Sequence, residues 1–255
     1  MIKKISICGK GGSGKSVIIT LLAKALKDKG YKVLVVDTDE SNTGLYKMLD
    51  FEEAPKTLTE SFGGRKGIMK YWNENRLGDL LSDTIKRKSI ITKDGIGLLS
   101  IGKIVGIEGC ACPLNAVVRE FLKIYTPEDN EILLIDTEAG IEHIGRGNEK
   151  YVDAMVIVVD PSYESLELST RAKKLALESD ISNKRIHIII NKADDNIYKI
   201  LVEGLKEREL ESYVSGSVRF DPYILEASML GRPIIGYGGD VSRDIENILN
   251  RIIEK

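Results

Sequence analysis

Residues 9–16 read Gly9-Lys10-Gly11-Gly12-Ser13-Gly14-Lys15-Ser16, and what flanks them decides the fold. The eight satisfy the pattern G-x-x-x-x-G-K-[ST]. Upstream, Lys4–Cys8 (KISIC) is strand-like. Downstream, Lys15–Lys29 carries Ile18, Leu21, Leu22 and Leu26 at the three- and four-residue spacing of an amphipathic helix. Strand, glycine-rich loop and helix in that order make a phosphate cradle. Glycines let backbone amides turn inward around phosphate oxygens, and the helix N-terminus adds positive potential. Lys15 is expected to reach the β- and γ-phosphates of a nucleotide, and the Ser16 hydroxyl to coordinate Mg²⁺.

Outward from the loop, apolar runs alternate with amphipathic stretches to the end of the chain. Lys32–Asp37 (KVLVVD) is a continuous apolar run closed by an acid, as a strand buried on both faces would be. Ile96–Ile101, Glu131–Asp136, Ala154–Asp160 and Arg185–Asn191 repeat the form, and Val214–Arg219 is a weaker version. Helical patterns fill Leu77–Arg87, Leu114–Tyr125, Tyr163–Ser179, Asn196–Leu210, Pro222–Leu230 and Asp240–Glu254. This alternation predicts an α/β fold: a mainly parallel central sheet with helices on both faces. With no repeat, low-complexity tract or Pro/Gly/Ser linker, residues 1–255 are expected to form one domain. Residues 40–109 are less regular, with a turn signal at Gly63-Gly64, and are expected to carry an insertion or switch segments. The last helix places Val241, Ile245, Ile248, Leu249, Ile252 and Ile253 on one side. Without basic flanks or an aromatic residue, that face is expected to dock on the domain and not on a membrane.

Lys and Arg total 37 against 39 Asp and Glu, which argues against a dedicated nucleic-acid binder. No apolar run reaches the roughly 18 residues of a membrane span. The N-terminus runs straight into the loop and leaves no room for a signal peptide. Three cysteines in 255 residues make no disulfide framework. A cytoplasmic protein with reduced thiols is expected.

Lys10 is a second lysine inside the loop. Lys-Gly-Gly-x-Gly-Lys-Ser resembles the deviant Walker A motif of the MinD/ParA/nitrogenase-iron-protein group of ATPases. That resemblance implies a homodimer sandwiching two ATP molecules, with Lys10 reaching the partner's phosphates as an arginine finger would. It also implies that Asp39 orients the attacking water, that Asp37 lies near Mg²⁺ and that Asp136 holds Mg²⁺ through water. Gly140, in Thr137-Glu138-Ala139-Gly140, would sense the γ-phosphate, and Glu138 would be an exposed switch residue and not a general base. With Gly9, Gly11, Gly12, Ser13, Gly14, Lys15 and Ser16 around the phosphates, Asn191 would contact the base, and Asp221 would join it from the loop Arg219-Phe220-Asp221-Pro222. Asn191-Lys192-Ala193-Asp194 also fits the Asn-Lys-x-Asp guanine pattern of GTPases. Lys10 favours ATP.

Cys110-Ala111-Cys112 precedes Pro113, which reads as the first residue of a helix. Thiols at that place are expected to have lowered pKa values. Two thiolates leave a metal ion under-coordinated, whereas two such pairs meeting in a symmetric dimer supply four sulfurs for Zn²⁺, Ni²⁺ or an iron–sulfur group. Together with Asp136-x-x-Ala139-Gly140-Ile141-Glu142-His143 and Gly145-Arg146-Gly147, the loop and the cysteine pair resemble the CooC family. Those proteins are nickel-insertion ATPases that mature carbon monoxide dehydrogenase. The resemblance implies that Cys110 and Cys112 of each protomer bind one Ni²⁺ (or Zn²⁺) at the dimer interface, with the metalloenzyme as client and neither nucleic acid nor membrane as partner. Two alternatives stay open, a MinD/ParA-like positioning or partition ATPase and a nickel-handling GTPase. Cys8 and His187 are expected in the core, His143 as a structural histidine, and Arg146 has no local role.

Overall fold

The computed structural model describes residues 2–39, 44–86, 89–102, 112–141 and 149–253. Eight strands form one sheet in the order β3-β4-β2-β5-β1-β6-β7-β8. In chain order these are β1 (Lys4–Gly9), β2 (Lys32–Asp37), β3 (Ile91–Lys93), β4 (Ile96–Ser100), β5 (Glu131–Asp136), β6 (Ala154–Val159), β7 (Ile186–Asn191) and β8 (Val214–Val218). Every neighbouring pair is parallel except β3–β4, an antiparallel pair at one edge. The mainly parallel sheet expected from the alternating pattern is what the chain forms.

The helices are α1 (Lys15–Asp28), α2 (Leu45–Met48), α3 (Leu58–Ser61), α4 (Gly64–Asn73), α5 (Leu77–Lys86), α6 (Cys112–Ile124), α7 (Tyr163–Glu178), α8 (Asp195–Lys206), α9 (Pro222–Leu230) and α10 (Asp240–Ile253). Alternate residues of each strand serve opposite faces. Val33 and Val35 of β2 pack in the cluster of Ile18, Leu22 and Leu26 from α1, and Ile245, Ile248 and Ile252 from α10. Leu34 and Val36 join Leu77 and Leu81 of α5 and Val117 and Phe121 of α6 on the other face. Cys8, Met155 and Ile157 meet Ala172 of α7 and Leu201 and Leu205 of α8. Both faces are covered, which is why the central strands are apolar throughout.

Three expectations need correction. The stretch after Asp39 is more regular than its sequence suggests: besides the expected helix α5 and strand β4 it holds α2, α3, α4 and β3. Helix α6 begins at Cys112, so Pro113 is its second residue. Helix α8 stops at Lys206, one turn short of Leu210, because Glu209 takes a left-handed φ of 55°.

The order of strands positions the site. β1 lies between β5 and β6, so the loop leaving β1 has the end of β5 on one side and the end of β6 on the other. The carboxyl edge of a parallel sheet, at such a switch in strand order, is where ligands of this architecture bind.

Candidate nucleotide site

A cleft of about 410 Å³ opens at that edge, lined on one side by Gly11, Gly12, Gly14, Lys15 and Ser16. Asp39, Met48, Ala139 and Asn191 also line it, and so do the apolar Val218, Phe220, Ile224 and Leu225 with the polar Arg219, Asp221 and Ser228 among them. A glycine-rich loop at one end and apolar side chains at the other fit a phosphate chain and a base respectively.

The loop is held from outside. Asn191, at the end of β7, donates from Nδ2 to the Ser13 carbonyl at 2.8 Å, and Lys192 donates from Nζ to the Gly12 carbonyl at 2.6 Å. Gly14 has φ +96°, and a Cβ there would lie 2.3 Å from Asn191 Nδ2, so only glycine lets the loop and β7 come this close. Gly9 is equally confined, since a Cβ would sit 2.6 Å from the Val158 carbonyl oxygen of β6. Lys15 is 7% exposed and spans the loop, its Nζ 3.3 Å from the Gly9 carbonyl and 3.4 Å from that of Lys10.

Ser16 Oγ donates to Asp136 Oδ2 at 2.8 Å. Asp37 pairs in register with Asp136 on the adjacent strand. Burial, and then the neighbouring Asp136 carboxylate, push the Asp37 carboxyl up to about 8. A hydroxyl and two buried carboxylates form a hard oxygen donor set, which suits Mg²⁺. Asp37 Oδ1 accepts from the Asp39 backbone N–H at 3.1 Å, which fixes the start of the segment leaving β2. On the other side, the Gly140 N–H donates to the Gly9 carbonyl at 3.1 Å, tying the segment after β5 to the phosphate loop.

The expected residues thus divide. Gly9 to Ser16, Asp37, Asp39, Asp136, Gly140, Asn191 and Asp221 come together at one sheet edge. Asp221 is engaged by its own helix, accepting from the N–H groups of Tyr223 (2.8 Å) and Ile224 (3.2 Å) and from the Tyr237 hydroxyl. Asp194 of the Asn-Lys-x-Asp pattern is not in the cleft wall. Its carboxylate caps α8, accepting from the Ile197 N–H at 2.8 Å. Cys110, His143 and Arg146 fall outside the described residues, and Cys112 is described only through its backbone. No group of three or more His, Cys, Asp or Glu placed to hold a metal occurs among the described residues. Cys8 is buried, and His187 is a core residue whose Nδ1 lies 2.8 Å from Ser215 Oγ.

Lys192 and Met48 contribute to the site without having been marked in the sequence. Glu164, which stands outside the cleft wall, is a further contact that the sequence does not mark: its Oε2 lies 3.0 Å from Lys10 Nζ. Nothing around Glu164 in the chain marks it, because the contact depends on β6 lying beside β1.

A phosphate loop between β1 and α1, acids closing β2 and β5, and a cleft at the carboxyl edge define a P-loop ATP-binding protein. The chain belongs to the CobQ/CobB/MinD/ParA nucleotide binding domain family, whose model matches residues 5–234. It is 39% identical over 257 residues to an uncharacterized ATP-binding protein of Methanocaldococcus jannaschii, covering 97% of this chain and all of that one. It is 33% identical over 235 residues to the carbon monoxide dehydrogenase accessory protein CooC of Rhodospirillum rubrum, covering 89% and 88% of the two chains. Its fold matches the septum site-determining protein MinD complexed with Mg-ADP from Pyrococcus horikoshii with a TM-score of 0.71, at 18% identity, over 100% and 97% of the chains. The chain is therefore a MinD/ParA-family ATPase. No helix among the described residues is long and apolar enough to cross a membrane.

Proposed function

We propose that residues 1–255 act as one cytoplasmic domain, a dimeric metallochaperone ATPase that loads nickel into metalloclusters of the carbon monoxide dehydrogenase type. The observation that carries this reading is Cys110-x-Cys112 in a chain that also has Lys10 inside its phosphate loop. Its likeness to CooC across nearly nine-tenths of both chains supports it.

In this reading the loop amides and Lys15 bind the β- and γ-phosphates. Ser16 and Asp136, with Asp37 beside them, hold Mg²⁺, which supplies positive charge against the phosphates. Asp39 orients a water whose oxygen bonds to the γ-phosphorus as the bond to the β–γ bridging oxygen breaks. Gly140, hydrogen-bonded to the loop at Gly9, passes the state of the γ-phosphate to the segment after β5, and Asn191 and Asp221 lie on the base side. Lys10 reaches the partner's phosphates. Cys110 and Cys112 of each protomer supply four sulfurs to one nickel ion, the cargo. Catalysis needs no strong base here, since positioning and charge carry phosphoryl transfer.

The test is Ni²⁺ stoichiometry under reducing conditions, with particle mass on the same sample, for wild type and Cys112→Ser. One ion per two chains, on a dimer and lost in the variant, is expected. Nickel binding that ignores the thiols would overturn the metallochaperone reading and leave a nucleotide switch of the positioning type.

A further inference from the structure

Lys10 sits one residue beyond the end of β1, and Asp160 one residue beyond the end of β6. The two strands run in parallel register, with Gly9 opposite Val158. The sheet therefore delivers Lys10 to the turn that starts α7. That turn is firmly built. Ser162 Oγ donates to Asp160 Oδ1 at 2.7 Å and accepts from the Ser165 N–H at 3.3 Å, and the Asp160 N–H donates to Ser165 Oγ at 3.1 Å. Lys10 Nζ reaches this turn, 3.0 Å from Glu164 Oε2 and 3.4 Å from Ser162 Oγ. Lys15 and Lys10 thus point to different groups. Lys15 lies along the loop, while Lys10 is drawn to the acidic start of α7 on its own chain.

We propose that Glu164 is a positioning residue, a latch that holds Lys10 on its own chain and must release it before Lys10 can act on phosphate. The inference rests on the reading of Lys10 given above. The ammonium has three N–H donors but only one place at a time, and one held 3.0 Å from Glu164 on its own chain is not free to move to a phosphate presented by a second chain, so the two anions compete for it. The competition is reversible because the Glu164 side chain is 76% exposed and water screens the pair, which also keeps its effect modest. Nucleotide binding in the cleft leaves the latch in place; closure that presents a second set of phosphates opens it. The equilibrium shifts only by the difference in affinity of Lys10 for the two anions.

The test uses the full chain with Glu164→Gln, Lys10→Ala and the double variant. ATP turnover is followed against protein concentration, and affinity for a fluorescent ATP analogue is measured on dilute protein. Glu164→Gln is expected to lower the protein concentration for half-maximal turnover by about two- to fivefold, the scale of one exposed ion pair, with analogue affinity unchanged. In the Lys10→Ala background the same change at Glu164 should have no effect. If Glu164→Gln matches wild type while Lys10→Ala is inactive, the latch is wrong and the role of Lys10 survives. An effect of Glu164→Gln that persists without Lys10 also overturns the latch. Full turnover by Lys10→Ala alone would overturn both the latch and the reading beneath it.

Discussion

Asp37 and Asp136 stand opposite one another at the carboxyl ends of β2 and β5, register partners with 8% and 1% exposure. Thr38 fastens the junction, donating from Oγ1 to the Asp136 carbonyl at 2.8 Å. Two acids this close and this dry do not ionise together at little cost, and in Asp37 that cost is expressed as a carboxyl held at about 8.

Stability without metal or nucleotide should therefore depend on pH in a defined direction. Unfolded, Asp37 ionises near pH 4, about the ordinary value for the residue; folded, it ionises at about 8. Between these values the folded chain binds more protons than the unfolded one, so its stability falls as pH rises and levels off above 8. Asp37→Asn should come closest to wild type at about pH 4 and below, and its advantage should grow as pH rises, exceeding about 1 kcal/mol well before pH 8. Urea unfolding across that range measures it. A constant difference between the two proteins from pH 5 to 8 would refute the assignment.

The contact between Gly14 and Asn191 makes a second prediction. Alanine at position 14 would bring its Cβ within 2.3 Å of Nδ2 and force a side chain into φ +96°. Gly14→Ala should lose about 1–3 kcal/mol of stability, combining overpacking with backbone strain, and ATP affinity should fall at least tenfold on the scale of ~1.4 kcal/mol per decade. Adding Asn191→Ala should restore part of the melting temperature, since it removes the clash and leaves the strain. A double variant no more stable than Gly14→Ala would show that the clash is not the cause.

Asp194 distinguishes the two readings of Asn-Lys-x-Asp. Its carboxylate is committed to the Ile197 N–H at the start of α8, and the cleft wall is built without it. Asp194→Ala is expected to cost about 1 kcal/mol as the loss of a helix cap, while leaving the ratio of ATP to GTP affinity unchanged. Competition between the two nucleotides for a fluorescent analogue, run beside thermal unfolding, reads both. A tenfold loss of GTP affinity relative to ATP would restore the guanine-reading role.

How far the fold can be read from the chain depends on how local its causes are. The phosphate loop, α1 and the six strands with long apolar runs carry their own patterns, and they formed where those patterns fall. β3 has three residues, Ile91-Thr92-Lys93, too few for any period to show, and it exists because β4 offers an edge. Helices α2 and α3 have four residues each, and α4 begins at Gly64, so propensity gives no sign of them. Leu210 is buried like Leu205 and so mimics a further turn of α8, yet the left-handed residue at Glu209 lets the chain reverse before it arrives. In the site, residues of the loop and at strand ends were legible because their types are required locally. The contact of Glu164 with Lys10 was not, because only the order β5-β1-β6 creates it.

The last helix provides the remaining prediction. Its apolar side could serve a membrane surface or the domain, and in the fold Val241, Ile245, Ile248, Leu249 and Ile252 are all buried against the cluster that contains α1. The fit to β8 is close: a Cβ on Gly216 would lie 2.6 Å from Ile248 Cγ1, so the strand gives up a side chain to admit the isoleucine. Ile248→Ala empties a site shaped for it, and by analogy with other large-to-small core changes should cost about 2–5 kcal/mol. Because Ile248 is not part of the cleft wall, ATP affinity measured on the folded fraction should stay within twofold of wild type, a shift of about 0.4 kcal/mol. Urea unfolding with and without ATP separates the two quantities. A loss below about 1 kcal/mol would mean that α10 can leave the sheet freely, and its apolar face would then be available for a surface after all.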